Sequence, residues 1–181
     1  MGLRVFRRVS TVLLAALVCG AAARADKLSD LQARFDAETN GVRKAKLLQH
    51  LGDAEFDEAA RAERAGDFST VGLLMEKYRD NVAAASAALD KENHDGEHHP
   101  GGYKQLEMHV QKGLRELDEY LLEAPDPFKP PLQIVKQDLL KVDDKLLRTL
   151  FPTHHPGKQG EAVPPSAPPA DLEGRLLGVQ P

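Results

Sequence analysis

Five of the seven histidines fall in two short clusters: His94, His98 and His99, interleaved with Asp95 and Glu97, and the pair His154-His155. Neutral imidazoles beside a carboxylate suit Zn²⁺, Cu²⁺ or Ni²⁺. The first cluster sits in Asn93 to Gly102, NHDGEHHPGG, whose three glycines and one proline predict a loop. For the clusters to meet, the helix before this loop, the helix after it and the last helix must alternate in direction, so that the loop and the end of the last helix share one pole. His94, His98, His99, His154 and His155 are thus the candidate metal ligands. No His-x-x-x-His or Glu-x-x-His pair on a helix stiffens them, so the stronger expectation is a solvated polar loop, no resident cofactor and no preorganised catalytic metal.

Other chemistries find less. A Gly-x-Ser-x-Gly elbow, a phosphate-cradling glycine loop and a His-Glu-x-x-His helix are all missing. Ser69, Ser86 and Ser166 have no neighbouring base in sequence. Acids are so numerous that Asp53, Glu55, Asp57 and Glu58 lie close together by chance. A di-iron bundle site wants Glu-x-x-His on two helices, and Glu107 to His109 has the wrong spacing. His109 and His50 lie on helix flanks and read as structural. The chain is therefore expected to be non-enzymatic.

The elements that carry these residues are helices. Tyr103, Leu106, Val110, Leu114, Leu117 and Leu121 recur at steps of three and four and predict a central helix over Tyr103–Leu122 with both neighbours packed alongside. A short first helix is expected from about Lys27 to Thr39, with Leu28, Leu31 and Phe35 on one face and Asn40-Gly41 as its stop. A second, from Val42 to about Ala65, turns Ala45, Leu48, Leu51, Phe56 and Ala59 inward, and Gly52 marks a kink, a close crossing or a break. Gly66-Asp67 reads as a terminal glycine followed by the cap of the next helix. That third helix, to about Lys91, carries Val71, Met75, Tyr78, Val82, Ala85 and Leu89 in a coiled-coil-like seam. Helices two and three resemble a tetratricopeptide hairpin, but a solenoid needs about three copies and one is present, so a generic hairpin is expected. Four prolines in Ala124 to Pro131 predict a stiff, extended crossing. The last helix begins at a proline, as first-turn positions allow, and runs to about Phe151, with Leu132, Val135, Leu139, Val142, Leu146 and Leu150 as a stripe flanked by Ile134, Leu140 and Leu147, the broadest apolar face in the chain. It is expected to lie deepest or to cover an intermolecular contact.

No segment alternates with a period of two, tryptophan is missing and aromatics are 5% of residues. The fold class is all-α: an antiparallel bundle of four to five helices over residues 26–151. Residues 1–25 read as a secretory signal, with Arg4, Arg7 and Arg8, an apolar run from Thr11 to Val18 and Ala23-Arg24-Ala25 as the cleavage motif. The run is shorter than the ~20 residues a bilayer span needs, so membrane contact is expected only through this segment before cleavage. Cleavage would remove four arginines and Cys19, leaving 20 Lys+Arg against 28 Asp+Glu, a net charge of −8 and no thiol. Such a product, periplasmic or extracellular, has no disulfide and is a poor partner for nucleic acid. A protein partner, or self-association through apolar helix faces, is expected instead. Residues 152–181 hold seven of the twelve prolines and are expected to form a disordered tail.

The segments KAKLLQHLGDAEFDEA and GYKQLEMHVQKGLRELDEYL, with LLRTLFP closing the last helix, resemble a group of exported helical bacterial proteins. The resemblance covers about residues 28–152. It implies an all-helical fold and export, and lends no activity, cofactor or catalytic residue.

Overall fold

The computed structural model of the protein describes residues 26–92 and 96–152. Residues 1–25, expected to be a secretory signal, residues 93–95 with His94, and residues 153–181, expected to be a disordered tail and holding His154 and His155, lie outside these residues. Among the described residues all regular structure is helical: α1 over 26–37, α2 over Gly41–Arg64, α3 over Phe68–Lys91, α4 over Gly101–Glu123 and α5 over Lys129–Leu150. A single 3-10 turn, Asp126–Phe128, precedes α5. None of these helices is long and apolar enough to cross a membrane.

Two antiparallel hairpins, α2–α3 and α4–α5, lie side by side. α2 packs against α3 and α4, and α5 packs against α4 and α3, so the order around the bundle is α2, α3, α5, α4, with α3 and α4 meeting across the diagonal. Directions follow from the contacts. Gly41 at the start of α2 abuts Leu89 at the end of α3, and Gly102 at the start of α4 lies against both Leu89 and Val42. α2 and α4 are therefore parallel to one another, as are α3 and α5. Ion pairs stitch each lateral pair: Lys112 to Asp53 at 2.8 Å between α4 and α2, Arg79 to Asp138 at 3.7 Å between α3 and α5, and Lys145 to Asp90 further along that pair. Exposed pairs of this kind contribute about 0–1 kcal/mol each, so they select register more than they stabilise.

The core follows the helical period. Ala45, Leu48, Leu51, Phe56 and Ala59 of α2 and the whole α3 seam, Val71 through Leu89, are buried. Each large aliphatic side chain so enclosed contributes about 1.5–3 kcal/mol over leaving it in water. In α4 Tyr103, Leu106, Val110, Leu114 and Leu117 are buried and Leu121 is half-buried. α1 runs antiparallel to α2 and drops Phe35 into the core, where Lys44 of α2 stands 4.5 Å above its ring.

The turn from α2 to α3 behaves as its residues dictate. Gly66 takes φ 74°, its amide donates to Glu63 O at 2.8 Å and the Asp67 amide to Ala62 O at 2.9 Å, the paired bonds of a Schellman ending. Asp67 then caps α3 by accepting from the Thr70 amide at 3.1 Å.

Four local expectations change. Asn40 and Gly41 do not stop α1, which ends at residue 37; Asn40 is the cap of α2, its Oδ1 accepting from the Arg43 amide at 2.9 Å. Gly41 is needed because a Cβ there would sit 2.7 Å from the Leu89 backbone nitrogen. Gly101 and Gly102 belong to α4 rather than to the loop. The proline crossing is shorter than expected, ending at Phe128 in a 3-10 turn, while Pro130 and Pro131 stand in the first turn of α5, the proline start that its sequence predicts. Finally, α5 is not the deepest helix: Leu132, Val135, Leu139 and Leu146 are buried, while Ile134 is 55% and Leu140 46% exposed on opposite flanks. An outer helix with a neighbour on only two sides covers one stripe and leaves its margins in water.

Candidate functional site

Inside the bundle lies a seam of polar residues that three helices hold in place. Tyr78 of α3 is fully buried and His109 of α4 nearly so. The Tyr78 hydroxyl lies 2.8 Å from the His109 carbonyl oxygen and 2.9 Å from His109 Nδ1. A carbonyl has no proton to give, so the hydroxyl donates to it, and Nδ1 lies within hydrogen-bond reach of the same hydroxyl. Nε2 lies 3.4 Å from Asp53 Oδ1 of α2.

The rings fit because two glycines make room. A Cβ on Gly52 of α2 would collide with His109 Cε1 and stand 3.0 Å from Tyr78 Cε2; one on Gly113 of α4 would lie 2.8 Å from Tyr78 Cζ. Phe56 closes the pocket, stacked on His109 with centroids 5.6 Å apart and tilted against Tyr78 at 4.7 Å. Gly52, noted as a kink, a crossing or a break, is a close crossing.

A second polar chain runs from the same interior to α1. Glu55 of α2 is 0% exposed; Asn81 of α3 donates to its Oε1 at 3.0 Å, and Oε2 has no partner. Asn81 and Gln32 of α1 exchange amide bonds at 3.0 and 3.1 Å.

Burial sets the electrostatics. Loss of water pushes the Glu55 carboxyl up to about 8, against the pull of the Lys77 ammonium and the Asn81 bond. Desolvation lowers His109 below the usual imidazole range, with Asp53 opposing. Tyr78 is raised well above an ordinary phenol by burial and by the nearby Glu55 and Asp53 carboxylates. For Asp53, partial burial works upward but the bond and charge of Lys112 prevail, and it is lowered. At neutral pH the seam therefore holds a protonated acid, a neutral imidazole and a neutral phenol. Its one outward-facing charge pair, Asp53–Lys112, sits at the surface.

The sequence-derived ligands are elsewhere. His98 and His99 are exposed and line a groove of about 480 Å³ with Val42, Pro100, Gly101 and Gly102. Gly96 lies against Thr149, where a Cβ would meet the Thr149 carbonyl oxygen at 2.9 Å, so this loop and the end of α5 do share one pole. Among the described residues no three His, Cys, Asp or Glu side chains are placed to hold a metal ion, and His94, His154 and His155 fall outside them. His50 is exposed on α2.

Sequence reasoning passed over Glu55 as one acid among many and His109 as a flank residue. A signal was present: Glu55 falls four residues after Leu51 and seven after Leu48, on the apolar stripe itself. Gly52 and Gly113, each within a long helix, pointed to large rings opposite. No family model matches the chain, and neither a curated protein nor a solved structure matches it.

Proposed function

We propose that the chain is an exported, non-enzymatic helical binding or assembly module. The observation that carries this reading is the enclosure of the acid–base cluster inside the bundle: Tyr78 and His109 are shut in by Phe56 and by the backbone at Gly52 and Gly113, and Glu55 is buried. Catalysis needs a reacting atom within about 3 Å of such groups, and packing at interior density leaves no place for one. The groove at the histidine loop and the groove between α1 and α2 are lined by other residues. Apolar side chains left in water, Ile134 and Leu140 on α5 and Leu122 on α4, offer contacts to a protein partner or to a second copy. Light scattering of the secreted protein tests the self-assembly branch: a mass that rises with concentration and falls back in Ile134→Asp plus Leu140→Asp supports it, and a fixed monomer removes it. Any turnover lost in both Tyr78→Phe and His109→Asn would sink the non-enzymatic reading.

A second reading rests on the shared pole. His98 and His99 flank the groove, and Gly96 meets α5 at Thr149, five residues before His154 in the chain. A Zn²⁺, Cu²⁺ or Ni²⁺ ion would take its imidazoles from His94, His98, His99, His154 and His155. Titration of the full chain with Zn²⁺ tests it: micromolar affinity lost in His98→Ala plus His99→Ala supports the site, and no heat of binding ends it.

A further inference from the structure

α1 is the shortest α-helix among the described residues. It spans 26–37, a length at which a helix is marginal in water without packing, and most of its side chains are exposed. Phe35 is its one fully buried residue, with Leu28 and Leu31 half-buried. Leu28 faces Ala54, Asp57, Glu58 and Arg61 across a shallow groove, so α1 passes over the stretch of α2 that contains Glu55. Gln32 then reaches Asn81, and Asn81 reaches Glu55. A buried carboxyl with a partnerless oxygen thus lies beneath a short helix, joined to it by a chain of amides.

We propose that α1 is a proton-governed latch: it seats on the α2–α3 face while the Glu55 carboxyl holds its proton, and lets go when that carboxyl ionises. The groups that bear on Glu55 come from each packed element. α3 supplies the Lys77 ammonium, which favours ionisation, and the neutral Tyr78, with His109 of α4 behind it. α2 itself adds Asp53, already tied to Lys112, and α1 contributes Gln32, whose Nε2 also donates to Asp36 at 2.8 Å. Among the described residues no ammonium or guanidinium touches the carboxyl, so ionisation in place strands a charge away from water, and lifting α1 readmits water. Covered, Glu55 keeps its proton to about 8; in water a carboxyl releases it near 4.5. The covered form binds the proton more tightly. Seating is therefore full below about pH 4.5, weakens through the interval and levels off above about pH 8.

Hydrogen exchange of the full chain, followed peptide by peptide and corrected for intrinsic rate, tests this. From pH 5 to pH 8 the protection of residues 28–37 should fall at least tenfold relative to that of α4, and Glu55→Gln should hold it constant. Gln32→Ala, which cuts the amide chain, should lower α1 protection at both pH values while leaving α4 and α5 protected. A smaller fall in the unmodified chain overturns the latch, as does an equal fall in Glu55→Gln or an α1 indifferent to Gln32→Ala. If Glu55→Gln does not fold, the pH profile of the unmodified chain and Gln32→Ala decide the matter.

Discussion

Single atoms decide the interior of this bundle. Gly52 and Gly113 are the clearest case, because both sit in helices where glycine costs about 1 kcal/mol against alanine, yet both are enforced by rings opposite. Gly52→Ala and Gly113→Ala should each destabilise by about 1–3 kcal/mol in chemical denaturation, the range for overpacking a filled core. Gly72, also helical, has open space where its Cβ would go, and Gly72→Ala should stabilise by about 0.5–1 kcal/mol. The seam also makes stability depend on pH with two opposite signs. His109 is lowered in the fold, so its contribution is complete above about pH 6.5 and is lost as pH falls through its depressed value. Glu55 is raised, so its contribution is complete below about pH 4.5 and is lost as pH climbs toward about 8. His109→Asn should accordingly flatten the loss of stability between pH 7 and pH 5. Glu55→Gln should stabilise at pH 8 by about 4 kcal/mol and change little at pH 4.5, read as denaturation midpoints.

At the scale of elements, most of each helix and its ends are local events. Gly66 and Asp67 form a stop and a start from adjacent residues, and their effects should separate. Asp67→Ala removes the acceptor for the Thr70 amide and should cost about 1 kcal/mol. Gly66→Ala forces a side chain into a backbone at φ 74° and should cost about as much, although no heavy atom lies within 4 Å of the added carbon. A denaturation midpoint unchanged in either variant would show that packing of α2 on α3, rather than the turn, sets the hairpin. The turn was readable because a terminal glycine and a capping aspartate act within four residues. Asn40-Gly41 misled for the same kind of reason: the pair looks like a stop, but Gly41 answers to Leu89, 48 positions away.

The described residues form four helices in two hairpins with a fifth laid over one pair, and apolar burial is the main force that holds them together. Far-UV ellipticity of the full chain should survive a chelator and a thiol reductant unchanged; a loss with either would mean that an ion or a sulfur bridge supports the fold. Which residues turn inward was fixed by the amino-acid order itself, since a stripe at steps of three and four has one inner face whatever it meets. The α3 seam from Val71 to Leu89 is buried to the last residue, and an absence of period-two runs already excluded sheet. Which helix each stripe meets was settled only in three dimensions. The order α2, α3, α5, α4, with α1 laid over it, places Tyr78 beside His109 and brings Asn81 to Gln32 and to Glu55, contacts that span 31, 49 and 26 positions. Periodicity is a property of one helix, whereas a buried polar pair belongs to two, and nothing in either strand of residues names its partner.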